Sequence, residues 1–325
     1  MTIEAATTSL ADAPVYDNRA AFADELIQLA RQDERIVAVC NDSVGSSNLT
    51  DFRDEFPDRL INVGIAEQDM VGVGAGLASS GLIPFVCAAA PFLTGRSLEQ
   101  VKADVAYSQH PVILCGMSPG MAYGELGPTH HSVEDLSWLR ALPGLDIVVP
   151  ADRRQTRDAV RQAVEHPRPT FIRVGRHKVP DVTVEGDRLV RGRFTTARTG
   201  TDVTLIATGT LVSRALIAAE RLQAAGVDAR VLNASHIAPL DVDAITDAAR
   251  TTGAIVTAEE ANIAGGLGAA VASVVSQLET AARVPLRILG LTEFAPTGST
   301  DFLLGHFGLT ADHIADAARE ALAHG

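Results

Sequence analysis

The sequence predicts an α/β protein built from two doubly wound units. Short apolar runs alternate with longer amphipathic ones along most of the 325 residues. Such alternation is the pattern of parallel sheets covered by helices. The length exceeds the roughly 100–200 residues of an ordinary domain. The alternation also breaks once, between Arg176 and Gly200. We therefore divide the chain into a first unit at 1–177, a connection at 178–200 and a smaller second unit at 201–325.

In the first unit, apolar runs predict strands at 36–40, 60–63, 84–88, 112–115, 146–149 and 170–174. Ala66, Met70, Val73 and Leu77 then recur at spacings of 4, 3 and 4, which predicts a helix with one apolar stripe. Gly72, Gly74 and Gly76 lie inside this stripe and read as close helix packing rather than a dinucleotide fingerprint. The connection carries no helical periodicity, so the two units are expected to fold independently. In the second unit, strands are predicted at 202–207, 228–233, 254–259 and 286–291, and helices near 211–225, 241–251, 265–280 and 310–323. Gly265-Gly266-Leu267-Gly268 opens a helix without the full G-x-G-x-x-G, which points to close backbone approach to another element or chain.

Composition narrows the function. The 27 Lys+Arg against 40 Asp+Glu leave a net charge of −13, and only 4% of residues are aromatic. A nucleic-acid binder needs a basic footprint and stacking groups, so nucleic acid is not expected as a partner. No stretch reaches the roughly 18 apolar residues of a membrane span, and residues 1–17 lack the basic and apolar regions of a leader. Cys40, Cys87 and Cys115 sit in apolar runs without ligand spacing, which fits a reducing, cytoplasmic setting and no metal site.

Three local patterns bear on chemistry. Gly116-Met117-Ser118-Pro119-Gly120 matches the G-x-S-x-G elbow of serine hydrolases, but Pro119 has no backbone N–H for an oxyanion hole. His131 and Asp135 are four apart, as helical metal ligands would be, yet no third ligand is evident. In Gly124-Glu-Leu-Gly-Pro-Thr-His130-His, glycines and proline predict a tight loop. Thr129 or Ser132 would cap the following helix, placing His130 at the loop–helix junction. Glu67, just after a predicted strand, reads by itself as a carboxylate complementing a helix dipole.

Taken together, these residues resemble the transketolase group of thiamine-diphosphate enzymes. Asn62-Val-Gly-Ile-Ala-Glu67-Gln68-Asp-Met resembles the segment with the cofactor-activating glutamate. Asp42 through Ser47-Asn48-Leu49 resembles the D-x-x-x-S-N-L loop with one extra residue. Phe92-Leu-Thr-x-Arg96 with Glu99-Gln100 resembles F-L-T-x-R…D-Q. Gly127-Pro128-Thr129-His130 matches D-G-P-T-H except at its first position, and Pro150-Ala151-Asp152 matches R-P-A-D without its arginine. Pro239-Leu240-Asp241 and the Gly265–Gly268 cluster resemble the C-terminal domain of that group. The implied fold is a pyrimidine-binding thiamine-diphosphate domain followed by a smaller transketolase C-terminal-type domain.

The resemblance implies roles residue by residue. Glu67 would hydrogen-bond the cofactor's aminopyrimidine and promote the tautomer that generates its nucleophile, a role suited to a buried carboxyl that keeps its proton readily. Phe92 would stack on that ring, with Arg96 and Asp42 also at the cofactor. Ala89 and Gly95 replace further aromatics of the family. His130 would assist proton transfer or bind the substrate carbonyl. Arg19, Ser47 and Arg176 fall where the family binds a phosphate. Leu126 replaces an aspartate and Ser118 a histidine at donor-recognising positions, which implies altered substrate preference.

The chain contains no Gly-Asp-Gly, the family's motif for the diphosphate and Mg²⁺. The resemblance thus implies a split enzyme in which a second polypeptide carries that motif, in an assembly expected to be α2β2. It would move a two-carbon ketol unit from a ketose phosphate to an aldose. Two other readings stand beside it: the β-subunit of a 2-oxoacid dehydrogenase E1 component, and a degenerate regulatory subunit.

Overall fold

A computed structural model describes residues 9–323; the first eight residues of the segment expected to lack a leader lie outside the described residues. Seven strands form the first sheet, in the order His236–Ala238, Asp146–Val148, Thr170–Val174, Ile113–Met117, Ile83–Ala89, Ile36–Cys40 and Leu60–Asn62. All neighbours are parallel except His236–Ala238 against Asp146–Val148. The central strands are buried along their whole length. That is why Ile36–Cys40, Ile83–Ala89 and Ile113–Met117 read as near-continuous apolar runs without alternation, while Thr170–Val174 is interrupted by Arg173. The second sheet runs Leu286–Leu291, Ala254–Asn262, Val203–Ala207, Ala229–Asn233 and Thr195–Arg198, with the last strand antiparallel.

The helix after the Leu60–Asn62 strand spans Glu67–Ser79, but its buried face is Glu67, Met70, Val71, Gly74, Ala75 and Ala78. The predicted stripe is therefore rotated: Val73 and Leu77 are only partly buried. Gly74 explains the turn, since a Cβ there would lie 2.5 Å from the Val86 side chain of the sheet below. Gly72 and Gly76 face open space, so close packing accounts for one glycine of the three. In the second glycine cluster, a side chain on Gly266 would collide with the Glu259 carboxylate, which accepts the N–H groups of Leu267 and Gly268. Here the close approach is to the chain itself.

The two halves, expected from the connection to fold as separate units, pack against each other over a shared apolar surface. One apolar cluster runs from Val39, Met70 and Val86 through Leu136 and Val149 to Ile206, Ile255 and Leu267. The connection is structured: Val179–Pro180 pairs with Val15–Tyr16, and Asp152 accepts the N–H groups of Val182 and Thr183 at 2.7 Å. Its polar text hid this because its backbone bonds go to distant partners.

Arg173 joins the halves. Its buried guanidinium donates to Asp135 Oδ2 at 2.9 Å, to the Ser132 carbonyl at 3.1 Å and to the Glu260 carbonyl at 2.9 Å. Burial alone would lower its pKa, but Asp135, with Glu260 and Glu259 close by, raises it. The short helix Asp135–Arg140 begins after Glu134 with no side-chain cap, so neither Thr129 nor Ser132 caps it. Replacing Arg173 by leucine would leave the fully buried Asp135 carboxylate without its cation, held only by the Leu136 N–H, and would take one donor from each of the Ser132 and Glu260 carbonyls. We expect Arg173→Leu to lose about 3–5 kcal/mol in urea unfolding; a loss under about 1 kcal/mol would show that the bridge is not structural.

Candidate functional site

Ligand sites in open parallel sheets lie beyond the carboxyl ends of the strands. At that edge the chain turns sharply after Ile36–Cys40, with Asp42 at φ 69°, and after Leu60–Asn62, with Gly64 at φ 74°. The second turn leads into the first turn of the Glu67–Ser79 helix, which places Glu67 at its first residue. Asn62 ties the turns together by accepting the Asp42 N–H at 2.9 Å and donating to the Asp42 carboxylate at 3.1 Å.

Glu67 is 4% exposed. Its Oε1 accepts from Asn41 Nδ2 at 2.7 Å and from Arg96 Nη1 at 2.8 Å, while Oε2 accepts from neither. Burial pushes its pKa up, but the backbone N–H of Glu67, the Arg96 guanidinium and the Asn41 amide together hold it below the usual carboxylate value. This corrects the expectation of a readily retained proton: burial was legible in the sequence, but the donors at Oε1 were not.

Phe92–Arg96 forms a π-helical turn, a geometry common at functional sites. It sets the Arg96 guanidinium 4.1 Å above the Phe92 ring, so the ring expected to be an open stacking platform is covered on that face. The His130 ring meets Phe92 edge-on at 5.3 Å, and Tyr123 lies 6.2 Å from His130. His130 Nδ1 is 3.0 Å from Thr129 Oγ1. The residue sits in a turn, five positions before the helix that starts at Asp135. Asp42, Glu67, Phe92, Arg96, Leu126 and His130 line an open cavity of about 360 Å³. Tyr123 and Leu126 also line a neighbouring cavity of about 420 Å³ that contains Arg176, whose guanidinium lies 4.9 Å from the Tyr123 ring.

Other sequence candidates are placed differently. Arg19 is in a bidentate ion pair with Asp17 and lines neither cavity. Ser47 is fully buried, with its hydroxyl 3.1 Å from that of Ser43, so it is not exposed for a phosphate. Ser118 is fully buried at φ 56° and its Oγ meets no partner, which removes both a substrate contact and a base in reach for hydrolysis. Gly95 makes room for Trp138, 3.1 Å from where a Cβ would stand; an aromatic there would collide rather than line the site. His131 lies in the loop, not one helical turn before Asp135, and Asp135 is taken by Arg173. No group of three or more metal-ligating side chains occurs among the described residues. Asn41 and Tyr123 were not singled out from the sequence. The available signal for Asn41 was its place directly after a strand at the ligand-binding edge.

Residues 15–182 match the family "Transketolase, pyrimidine binding domain" and residues 192–314 match "Transketolase, C-terminal domain". The chain is 48% identical to one of the subunits of the apulose-4-phosphate transketolase of Phocaeicola vulgatus, over 93% of this chain and 96% of that protein. It is 40% identical to the 6-deoxy-6-sulfo-D-fructose transketolase subunit SqwH of a Clostridium species, over 93% of each. A solved structure described as a split gene transketolase, inactive beta4 tetramer, superposes with a TM-score of 0.86 at 36% identity, over 95% of this chain and 99% of that one. These relatives are transketolase subunits, which does not favour the 2-oxoacid dehydrogenase reading. The chain belongs to the transketolase family, as the subunit of a split transketolase-like enzyme that carries the pyrimidine-binding and C-terminal domains.

Proposed function

We propose that this chain contributes Glu67, an aminopyrimidine pocket and one wall of the substrate channel to an enzyme that moves a two-carbon ketol unit from a ketose phosphate to an aldose. The carrying observation is Glu67 itself: a buried carboxylate with one oxygen clamped and the other uncommitted, beside an open cavity. Family membership implies dependence on thiamine diphosphate, and the residues fit it. One carboxylate oxygen suits a single ring nitrogen, and Phe92, Ile65 and Leu126 give apolar walls for a flat heterocycle. Arg96, which covers one Phe92 face, is half-exposed, so a bound ring would displace a solvent-facing side chain rather than a packed one. Thiamine diphosphate, when bound, supplies the carbon nucleophile that carries the ketol unit.

Glu67, kept a carboxylate by its donors, would accept a hydrogen bond at Oε2 from an N–H on the ring nitrogen and exchange that proton with it. His130, with Nδ1 turned to Thr129, uses Nε2 to exchange a proton with the substrate oxygen. Arg176, in the adjoining cavity with the Ser299 and Thr300 side chains, binds the phosphate end. Leu126 faces both cavities where related enzymes have an acid, and it selects a donor whose corresponding group needs no charged partner. The diphosphate and Mg²⁺ belong to a partner chain with the Gly-Asp-Gly motif, in an α2β2 assembly working in the cytoplasm on carbohydrate substrates. The relative described as an inactive beta4 tetramer supports the need for a partner.

Calorimetry with thiamine diphosphate and Mg²⁺ tests this reading: tight binding is expected only after mixing with the partner chain, and tight binding by the isolated chain would refute the split site. In the assembled enzyme, Glu67→Ala is expected to lower kcat by roughly 10²–10⁴-fold; full activity would end the proposal. Arg176→Ala should raise KM for a phosphorylated donor by roughly 10- to 100-fold with kcat retained, and leave unphosphorylated donors unaffected. Leu126→Asp should shift the kcat/KM ratio between donors that differ at the hydroxyl next to the carbonyl by at least about tenfold, and an unchanged ratio would remove Leu126 from donor selection.

A further inference from the structure

Asn41 has no role assigned by the site's resemblance, yet both ends of its side-chain amide are hydrogen-bonded. It follows the Ile36–Cys40 strand, is 7% exposed and donates from Nδ2 to Glu67 Oε1 at 2.7 Å. Its Oδ1 accepts from Ser43 Oγ at 2.6 Å. Because the Ser43 proton is used there, the 3.1 Å contact between Ser43 and Ser47 requires Ser47 to donate. Every link then donates in one direction: Ser47 to Ser43, Ser43 to Asn41, Asn41 to Glu67. The amide cannot be turned over, since that would set Oδ1 against a carboxylate oxygen. Buried Ser47 thereby stands at the far end of a chain of hydrogen bonds that leads to Glu67.

We propose that Asn41 is a positioning residue that pins Oε1 of Glu67, so that Oε2 is the oxygen presented to the cofactor's ring. The inference rests on the reading of Glu67 given above. Arg96 shares Oε1, but its side chain is half-exposed and covers the Phe92 face. When Arg96 leaves that face, Asn41 stays, because it is enclosed and braced from behind. A fixed acceptor orientation matters because misplacement by a fraction of an ångström weakens a preorganised contact.

The test is thiamine-diphosphate affinity, by calorimetry with Mg²⁺ on the complex assembled with the partner chain, for the wild type, Asn41→Asp, Glu67→Ala and the double variant. Asn41→Asp keeps the shape and the Ser43 bond but replaces the donor with an anion, so a space-filling role would survive it. We expect Asn41→Asp to weaken binding by roughly 10- to 100-fold and to lower kcat while the ketose KM holds. In the Glu67→Ala background it should change affinity by less than about twofold, because the two residues act through one contact. Binding by Asn41→Asp within about twofold of wild type, or the same loss with and without Glu67, overturns the proposal. If Glu67→Ala itself binds as tightly as wild type, the Glu67 reading falls first and this one with it. Should Asn41→Asp not assemble, Asn41→Ala removes the donor without adding charge, and the same outcomes apply.

Discussion

The buried guanidinium of Arg173 is the constraint on which the arrangement rests. It lies on a central strand of the first sheet and reaches the loop after Ile113–Met117, the Asp135–Arg140 helix and the backbone of the second sheet at Glu260. A charge so enclosed is tolerated only when it is paired and hydrogen-bonded, so each of these segments must be in place for the others to hold. The loop it anchors at Ser132 carries Leu126 and His130. The two halves of the chain thereby share one polar junction as well as one apolar cluster, and that junction sets the wall of the cavity.

At the opposite wall the controlling physics is electrostatic. A carboxylate removed from water ordinarily holds its proton more tightly. Glu67 does the reverse, since a helix-start backbone N–H, an amide and a guanidinium outweigh the cost of burial. All the side-chain donors fall on one oxygen, which makes the carboxylate asymmetric: one end is structural, the other chemical. Arg96 links this charge to the Phe92 ring, so the ionic and aromatic sides of the site are coupled through one half-exposed side chain.

Much of this was legible beforehand. The strand at 36–40 coincides with its apolar run, because a strand buried on both faces leaves no polar interruption in the text, and 170–174 and 286–291 coincide with theirs although Arg173 and Arg287 interrupt them. Glu67, Phe92, Arg96, Asp42, Leu126 and His130 were singled out by motif and converge on one cavity. The failures share a cause. The stripe of the Glu67–Ser79 helix was read from hydrophobicity, whereas the small Gly74 against Val86 sets its rotation. Arg19 and Ser47 matched by position, but a local ion pair and burial claim their side chains.

The sequence by itself determined the alternation of strands and helices, the family to which its motifs belong, and the acid at the start of a helix beyond a strand. These are local properties, written in the spacing of neighbouring residues. The tertiary structure decided which oxygen of Glu67 is held, which serines face inward and how the two halves join. Those outcomes depend on contacts between residues far apart in the chain, such as Asn41 with Glu67 and Arg173 with Glu260, whose geometry no local pattern encodes.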